Sequence, residues 1–172
     1  NTYIVRRYRP RIEGLFARIE RWTNVNDPGD VHWRSISMDN ILTLYGRDAN
    51  SRIANPLDPS HIFCWLICES RDAKGDGIRY IYKAEDGTCE LRPGQADPLK
   101  HAHQSNRGAA SDLRRTAQRY LSRVLYGSKK PLLDTRGQRP RHLSDLTQLP
   151  SDTGIDWLFE VRFDYGELDE GD

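Results

Sequence analysis

Polar and apolar positions in this chain alternate in short runs and seldom recur at helical spacing. Leu15 to Trp22 sets Phe16, Arg18, Glu20 and Trp22 on one face and Leu15, Ala17, Ile19 and Arg21 on the other, the pattern of a half-buried strand. Thr2 to Tyr8 predicts a strand before it, interrupted by Pro10. After the turn formers of Asn24 to Asp30, Val31 to Ser37 and Ile41 to Tyr45 predict two more strands around a tight Met38-Asp39-Asn40 connection. Gly46 then permits a turn with positive φ. Its Tyr-Gly pair recurs at Tyr126-Gly127 and Tyr165-Gly166, which is too little to establish a repeat and reads as hairpin punctuation.

Asp48 to Ser60 reads as a loop with a short bridge at Arg52 to Ala54. Ile62 to Glu69, IFCWLICE, is the most apolar run and predicts one central strand buried on both faces. A turn over Ser70 to Gly77 and a strand over Ile78 to Lys83 complete a hairpin. The chain from Ala84 to Gly108 is polar and irregular. Ala109, Ala110, Leu113, Ala117, Tyr120, Leu121 and Val124 then recur at helical spacing behind a capping Ser111, while Tyr120 to Tyr126 also alternates as a strand, so a short helix to about Arg119 and a strand to Tyr126 are predicted. Lys129 to Ser151 is a proline-bearing loop, and Trp157 to Tyr165 a final strand whose Trp157, Phe159, Val161 and Phe163 stripe is expected in the sheet core. The predicted fold is mainly β, built of antiparallel hairpins with one short helix.

Composition bounds this picture. The length, 172 residues, suits one domain, but 30% charged against 37% hydrophobic residues implies a thin core, or one completed by neighbouring material. A net charge of +1 gives no global field toward nucleic acid or an anionic membrane. No apolar run approaches the ~18–20 residues that span a bilayer. Beginning at Asn1 and closing in the acidic run Glu167 to Asp172, residues 1–172 read as one region of a much larger polypeptide.

Candidate chemistry is sparse. Cys64, Cys68 and Cys89 are odd in number, which argues against a complete internal disulfide framework. On one strand Cys64 and Cys68 would share a face roughly 13 Å apart, beyond the ~7 Å a disulfide allows, so they read as buried small hydrophobes. Asp72, Asp76 and Gly77 resemble a calcium loop only superficially, because Lys83 stands where the twelfth-position acid belongs; a hairpin turn is expected. His101 and His103 lack a recognisable ligand spacing with His32, His61 or His142. Two basic clusters, Arg6, Arg7, Arg9 and Arg11, then Arg107, Arg114, Arg115, Arg119 and Arg123, stand near Tyr3, Tyr8 and Tyr120 and could track a polyanion, or form a solvated, ion-paired face. There is no nucleophile elbow, P-loop or dinucleotide fingerprint. No catalytic, cofactor-binding or metal residue is assigned, and no enzyme is expected in this segment.

The blocks YRPRIEGLFARIERW, GDVHWRSIS, DNILTLYG, SRIANPLDPS, IFCWLICES, IRYIYKAED, RYLSRVLYG and WLFEVRFDYGE, in this order, resemble the SpvB-type N-terminal region shared by the SpvB virulence protein and the TcB subunits of insecticidal toxin complexes. The loops 94–110 and 130–155 fit least. The resemblance implies a structural role: part of a hollow β-sheet shell that TcB builds with a TcC subunit around a cytotoxic cargo, docked through the parent protein onto a TcA pore. It implies a secreted protein, delivered to host cells, with no nucleic-acid or membrane contact by this segment. The Arg, Ser-Thr-Ser and Glu-x-Glu elements of the actin-modifying ADP-ribosyltransferase are not found; Glu167-Leu168-Asp169-Glu170 does not supply the last. The alternatives are a glycan- or polyanion-recognition module, and the non-catalytic N-terminal region of an actin ADP-ribosylating virulence protein.

Overall fold

The computed structural model describes residues 2–14, 16–27, 29–85, 113–141 and 155–165. The predicted alternation becomes strands: β1 (Tyr3–Tyr8), β2 (Arg18–Asn24), β3 (Val31–Ile36), β4 (Leu42–Tyr45), β5 (Arg52–Asn55), β6 (Asp58–Trp65), β7 (Ile67–Arg71), β8 (Gly77–Ala84), β9 (Arg119–Ser128) and β10 (Trp157–Arg162). Eight of them form one sheet in the order β1-β2-β3-β4-β7-β8-β9-β10, every neighbour antiparallel. The excursion between β4 and β7 is the separate β5–β6 hairpin.

The run IFCWLICE is not one central strand. Leu66 breaks it, because its carbonyl accepts from the Gly46 amide at 2.8 Å and its amide donates to the Ser51 carbonyl at 2.8 Å. With both backbone groups committed sideways, Leu66 cannot continue a ladder. Cys64 therefore belongs to β6 of the small sheet and Cys68 to β7 of the large one. Burial on both faces also fails: Phe63 is 88% exposed. The crossover is shaped by a 3-10 turn at Ala49–Ser51, whose Asp48 accepts from the Ser51 amide at 2.9 Å while Ser51 Oγ accepts from the Asp48 amide at 3.2 Å.

Trp65 seats the small sheet on the large one. Its ring meets Trp33 at 6.0 Å, and its indole N–H donates to the Val31 carbonyl at 3.0 Å. Gly46, at φ +63, makes room: a Cβ there would lie 2.3 Å from Trp65 Cδ1. The Tyr-Gly ending at residues 45–46 is thus a packing requirement. Gly127 lies within β9, with the Phe159 ring against it, so that pair is not hairpin punctuation. Gly166 lies outside the described residues.

Among the described residues the apolar core is thin, as composition predicts. Leu42, Leu44 and Cys68, with Ile36, make one cluster; Leu132 and Ile155, with Trp157, make another. The rest of the predicted core stripe is corrected. β10 is an edge strand, and Phe159, Val161 and Phe163 are 55%, 42% and 43% exposed. Alternation gave them a common face, but no described element covers it. The predicted helix is also corrected. Leu113–Thr116 is a single 3-10 turn and Arg119 already opens β9, while Ala109 to Ser111 lie outside the described residues.

Candidate functional site

The antiparallel register brings charged side chains onto one sheet face. Arg7, Glu20 and Arg34 stand opposite one another on β1, β2 and β3, and Leu44, Glu69 and Arg79 continue the row on β4, β7 and β8. Glu20 is buried and sits among Arg18 at 3.0 Å, Arg34 at 3.7 Å and Arg7 at 3.9 Å. It also accepts from the Trp22 indole at 3.0 Å. The Arg34 guanidinium stacks 4.5 Å over the same indole. Burial lowers the Arg34 pKa, opposed by Glu20. Arg71, fully enclosed, pairs with Glu69 and donates to the Pro140 carbonyl at 3.0 Å. Arg139 returns the contact, donating to the Asn40 side chain at 2.8 Å and to the Arg71 carbonyl at 3.0 Å, so the 131–141 loop is tied down over the sheet.

A second knot joins the two sheets at Asp30. Its carboxylate accepts from Tyr3 at 2.8 Å and from Asn24 at 3.1 Å, and lies 3.4 Å from Arg47 and 3.5 Å from Arg52. Arg52 in turn donates to the Gly46 carbonyl at 2.6 Å and the Gly29 carbonyl at 2.8 Å. Burial raises the Asp30 pKa, but the Tyr3 and Asn24 bonds, Arg47 and His32 outweigh it and hold the carboxyl below its ordinary value. A depressed carboxyl stabilises the fold above the unfolded value near ~3.9 and loses that contribution as pH falls through the lower folded value. Asp30→Asn is therefore expected to flatten the acid limb of a stability-against-pH curve below about pH 4. Urea titrations in acid buffers check this; an unchanged limb would contradict it.

The remaining candidates separate clearly. Cys68 is buried, donates to the Leu44 carbonyl at 3.3 Å, and burial pushes its thiol up to about 11. A thiol reagent is expected to modify half-buried Cys64 well before Cys68 in a Cys89→Ser background, followed by mass spectrometry; equal rates would contradict the packing. Asp72 shapes the β7–β8 turn, accepting from the Lys74 and Asp76 amides at 2.8 and 2.9 Å. His61 is exposed and sits 3.3 Å from Asp58, whereas His32 is fully buried beside Tyr3 and Trp22. His101, His103, His142, Cys89 and Arg107 lie outside the described residues. Among the described residues, no group of three or more His, Cys, Asp or Glu is placed to hold a metal ion.

The basic clusters divide. Arg119 spends one nitrogen on the carbonyls of Thr116, Ala117 and Gln118, at 2.7, 3.2 and 3.0 Å, and Arg123 lies 3.7 Å from Glu160. Tyr120 faces Tyr165 at 5.4 Å, and Lys83 lies 4.7 Å over the Tyr165 ring. These groups are absorbed by structure. Arg6, Arg7, Arg9 and Arg11 are exposed, on β1 and in the arch that follows it. The interior pairs around Glu20 and Glu69 escaped sequence reasoning, because alternation alone does not say which charges are covered.

The architecture is thus a two-edged sheet with internal ion pairs. The family model described as “Salmonella virulence plasmid 65kDa B protein” matches residues 1–172. The chain belongs to the SpvB family. It is 35% identical over 167 residues to a protein named mono(ADP-ribosyl)transferase SpvB from Salmonella typhimurium strain 14028s, a match covering 96% of this chain and 24% of that relative. The chain therefore spans about a quarter of the curated relatives it matches. Among solved structures, the N-terminal domain of the effector protein SpvB from Salmonella typhimurium strain LT2 superposes with a TM-score of 0.71 at 34% identity, covering 96% of this chain and 44% of that one. The TcdB2-TccC3 complex superposes with a TM-score of 0.67 at 33% identity, covering 95% of this chain and 7% of that one. The SpvB-family region is accordingly common to a virulence effector and a toxin complex.

Proposed function

We propose that residues 1–172 are a non-catalytic wall segment of a TcB/SpvB-like toxin protein, one part of a hollow β-sheet shell around a cytotoxic cargo. The observation that carries this reading is an eight-stranded antiparallel sheet, open at both β1 and β10 among the described residues, with a similar counterpart inside the TcdB2-TccC3 complex. A strip of this kind is completed by strands from either side, and its internal ion pairs fix register without a large core. Its partners are the remainder of the parent chain and a TcC-like subunit, with a TcA-like pore reached through the parent. The parent protein is secreted and enters host cells. The segment itself needs no cofactor and touches neither nucleic acid nor membrane.

Protease protection tests this. The parent protein assembled with its TcC-like subunit is expected to shield the cargo, and a parent lacking residues 1–172 to expose it. Equal protection by both would remove the wall role.

The similarity to a mono(ADP-ribosyl)transferase supports a second reading, the non-catalytic N-terminal region of an actin-modifying virulence protein. A transferase domain downstream in the parent would select it. In either context residues 1–172 alone leave NAD intact, whereas NAD hydrolysis by this segment would overturn both.

A further inference from the structure

The two open edges differ in chemistry. Among the described residues, β1 lies at the end of the sheet and pairs only with β2, in the register Tyr3↔Asn24 to Tyr8↔Ile19. One step before that register, the Thr2 carbonyl accepts from the Val25 amide at 2.9 Å. In an antiparallel ladder, backbone groups of successive residues point alternately to one side and the other. Ile4, Arg6 and Tyr8 therefore turn theirs toward β2, while Val5 and Arg7 present N–H and C=O outward. No proline or bulge interrupts these positions, and Ile4 and Val5 are 53% and 41% exposed. An edge protected against pairing is short, bulged, charged or broken by proline; this one carries charge alone, in Arg6 and Arg7, which repels a like-charged strand and attracts an acidic one.

Its charge is one-sided. From Tyr3 to Gly14 the chain carries Arg6, Arg7, Arg9 and Arg11 against the single acid Glu13. Where β1 ends, a groove of about 830 Å³ opens, lined among others by Tyr8, Arg9, Phe16 and Arg18. Phe16 is 65% exposed there and holds a φ of 47°. At the opposite edge, Glu160 on β10 is matched by Arg162 at 2.9 Å and Arg123 at 3.7 Å.

We infer that the free edge of β1 accepts an extended acidic segment of a partner protein as a further strand of the sheet. Outward backbone groups of Val5 and Arg7 supply the ladder bonds. Neighbouring acidic residues meet Arg6 and Arg7, neighbouring apolar ones meet Ile4 and Val5, and an apolar residue beyond the ladder enters the groove against Tyr8 and Phe16. The source of the strand rests on the shell reading, since a wall segment needs a neighbour; the edge chemistry stands on β1 itself.

The test uses the full parent chain, purified without its partner subunit, and a short fluorescein-labelled peptide containing Glu-Glu-Val-Val. A Lys-Lys-Val-Val peptide and a sulfated oligosaccharide serve as comparators. Anisotropy is expected to rise with the acidic peptide, to weaken with salt, and to stay low with the lysine peptide. Val5→Pro removes an outward N–H and no β1–β2 bond, and is expected to weaken binding about tenfold. Arg6→Glu with Arg9→Glu is expected to weaken it at least as much and to shift preference to the lysine peptide, which keeps the test alive if the proline variant misfolds. No binding at about 1 mM peptide, equal binding of both peptides, or acidic-peptide binding indifferent to a folded Val5→Pro variant would overturn the proposal. The last result, with the oligosaccharide competing, would identify charge adsorption in place of strand addition. No acidic-peptide binding by the unaltered parent, with cargo protection still dependent on residues 1–172, would sink this inference alone; peptide binding by a parent whose cargo is protected equally with and without residues 1–172 would sink the shell reading alone.

Discussion

Gly46→Ala is expected to destabilise the fold by about 2–5 kcal/mol, combining about 1–2 for a non-glycine residue in the left-handed region with about 1–3 for overpacking. The added Cβ would stand 2.3 Å from Trp65 Cδ1, 2.9 Å from Cγ and 3.0 Å from Cβ. The last two atoms lie at the root of the side chain, so a small swing of the ring does not clear them. Trp65 has nowhere convenient to go, being held by Trp33 and the Val31 carbonyl. Relieving the clash lifts the β5–β6 hairpin from the large sheet. Gly127→Ala is the comparator: it shares the positive φ, but its Cβ meets Phe159 at 3.0 Å, on an exposed edge ring that can turn aside. That variant should lose only the backbone component, about 1–2 kcal/mol. Urea unfolding of both checks the contrast, and equal losses would contradict the packing role of Gly46.

Arg71→Ala should be as damaging for an electrostatic reason. Arg71 is fully enclosed, pairs with Glu69 and donates to the Pro140 carbonyl. Its removal leaves Glu69 in the interior without its paired cation, with only the weaker pull of Arg79 and Arg47, which costs about 3–5 kcal/mol at most. Replacing both, as Arg71→Met with Glu69→Leu, should restore most of that loss, because two well-packed apolar groups have no charge to desolvate. The pH dependence separates this from a simple cavity. Burial already pushes the Glu69 carboxyl up, against the pull of Arg71. Without Arg71 that carboxyl rises further. A raised carboxyl costs stability above its unfolded value near ~4.3 and recovers it on protonation. The Arg71→Ala deficit should therefore shrink as pH falls toward that value, and a pH-independent deficit would point to lost packing alone.

These two residues also mark where sequence reading succeeds and fails. The turn formers of Asn24 to Asp30 and of Met38 to Asn40 bound Val31 to Ser37 and Ile41 to Tyr45, and β3 and β4 lie within those bounds. A continuous apolar run has no period, so IFCWLICE could not reveal the break at Leu66, which tertiary bonds from Gly46 and Ser51 impose. Alternation in Trp157 to Phe163 identified a shared face but not whether another layer covers it. The exposed arginines of β1 were legible as charge, whereas Glu20, Arg34 and Arg71 read as surface residues until the register set them together beneath the 131–141 loop and beside Trp22. Family resemblance rested on ordered blocks spread along the chain, and the matched family model covers the same span.

The shell assignment meets its most direct test in a cryo-EM map of the parent protein bound to its TcC-like subunit. The account predicts that residues 1–172 lie in the wall, with the β10 edge continued by the parent chain, the β1 edge continued by a partner strand, and the cargo cavity behind the sheet. A separate globular domain projecting from the particle, with both edges facing solvent, would contradict it.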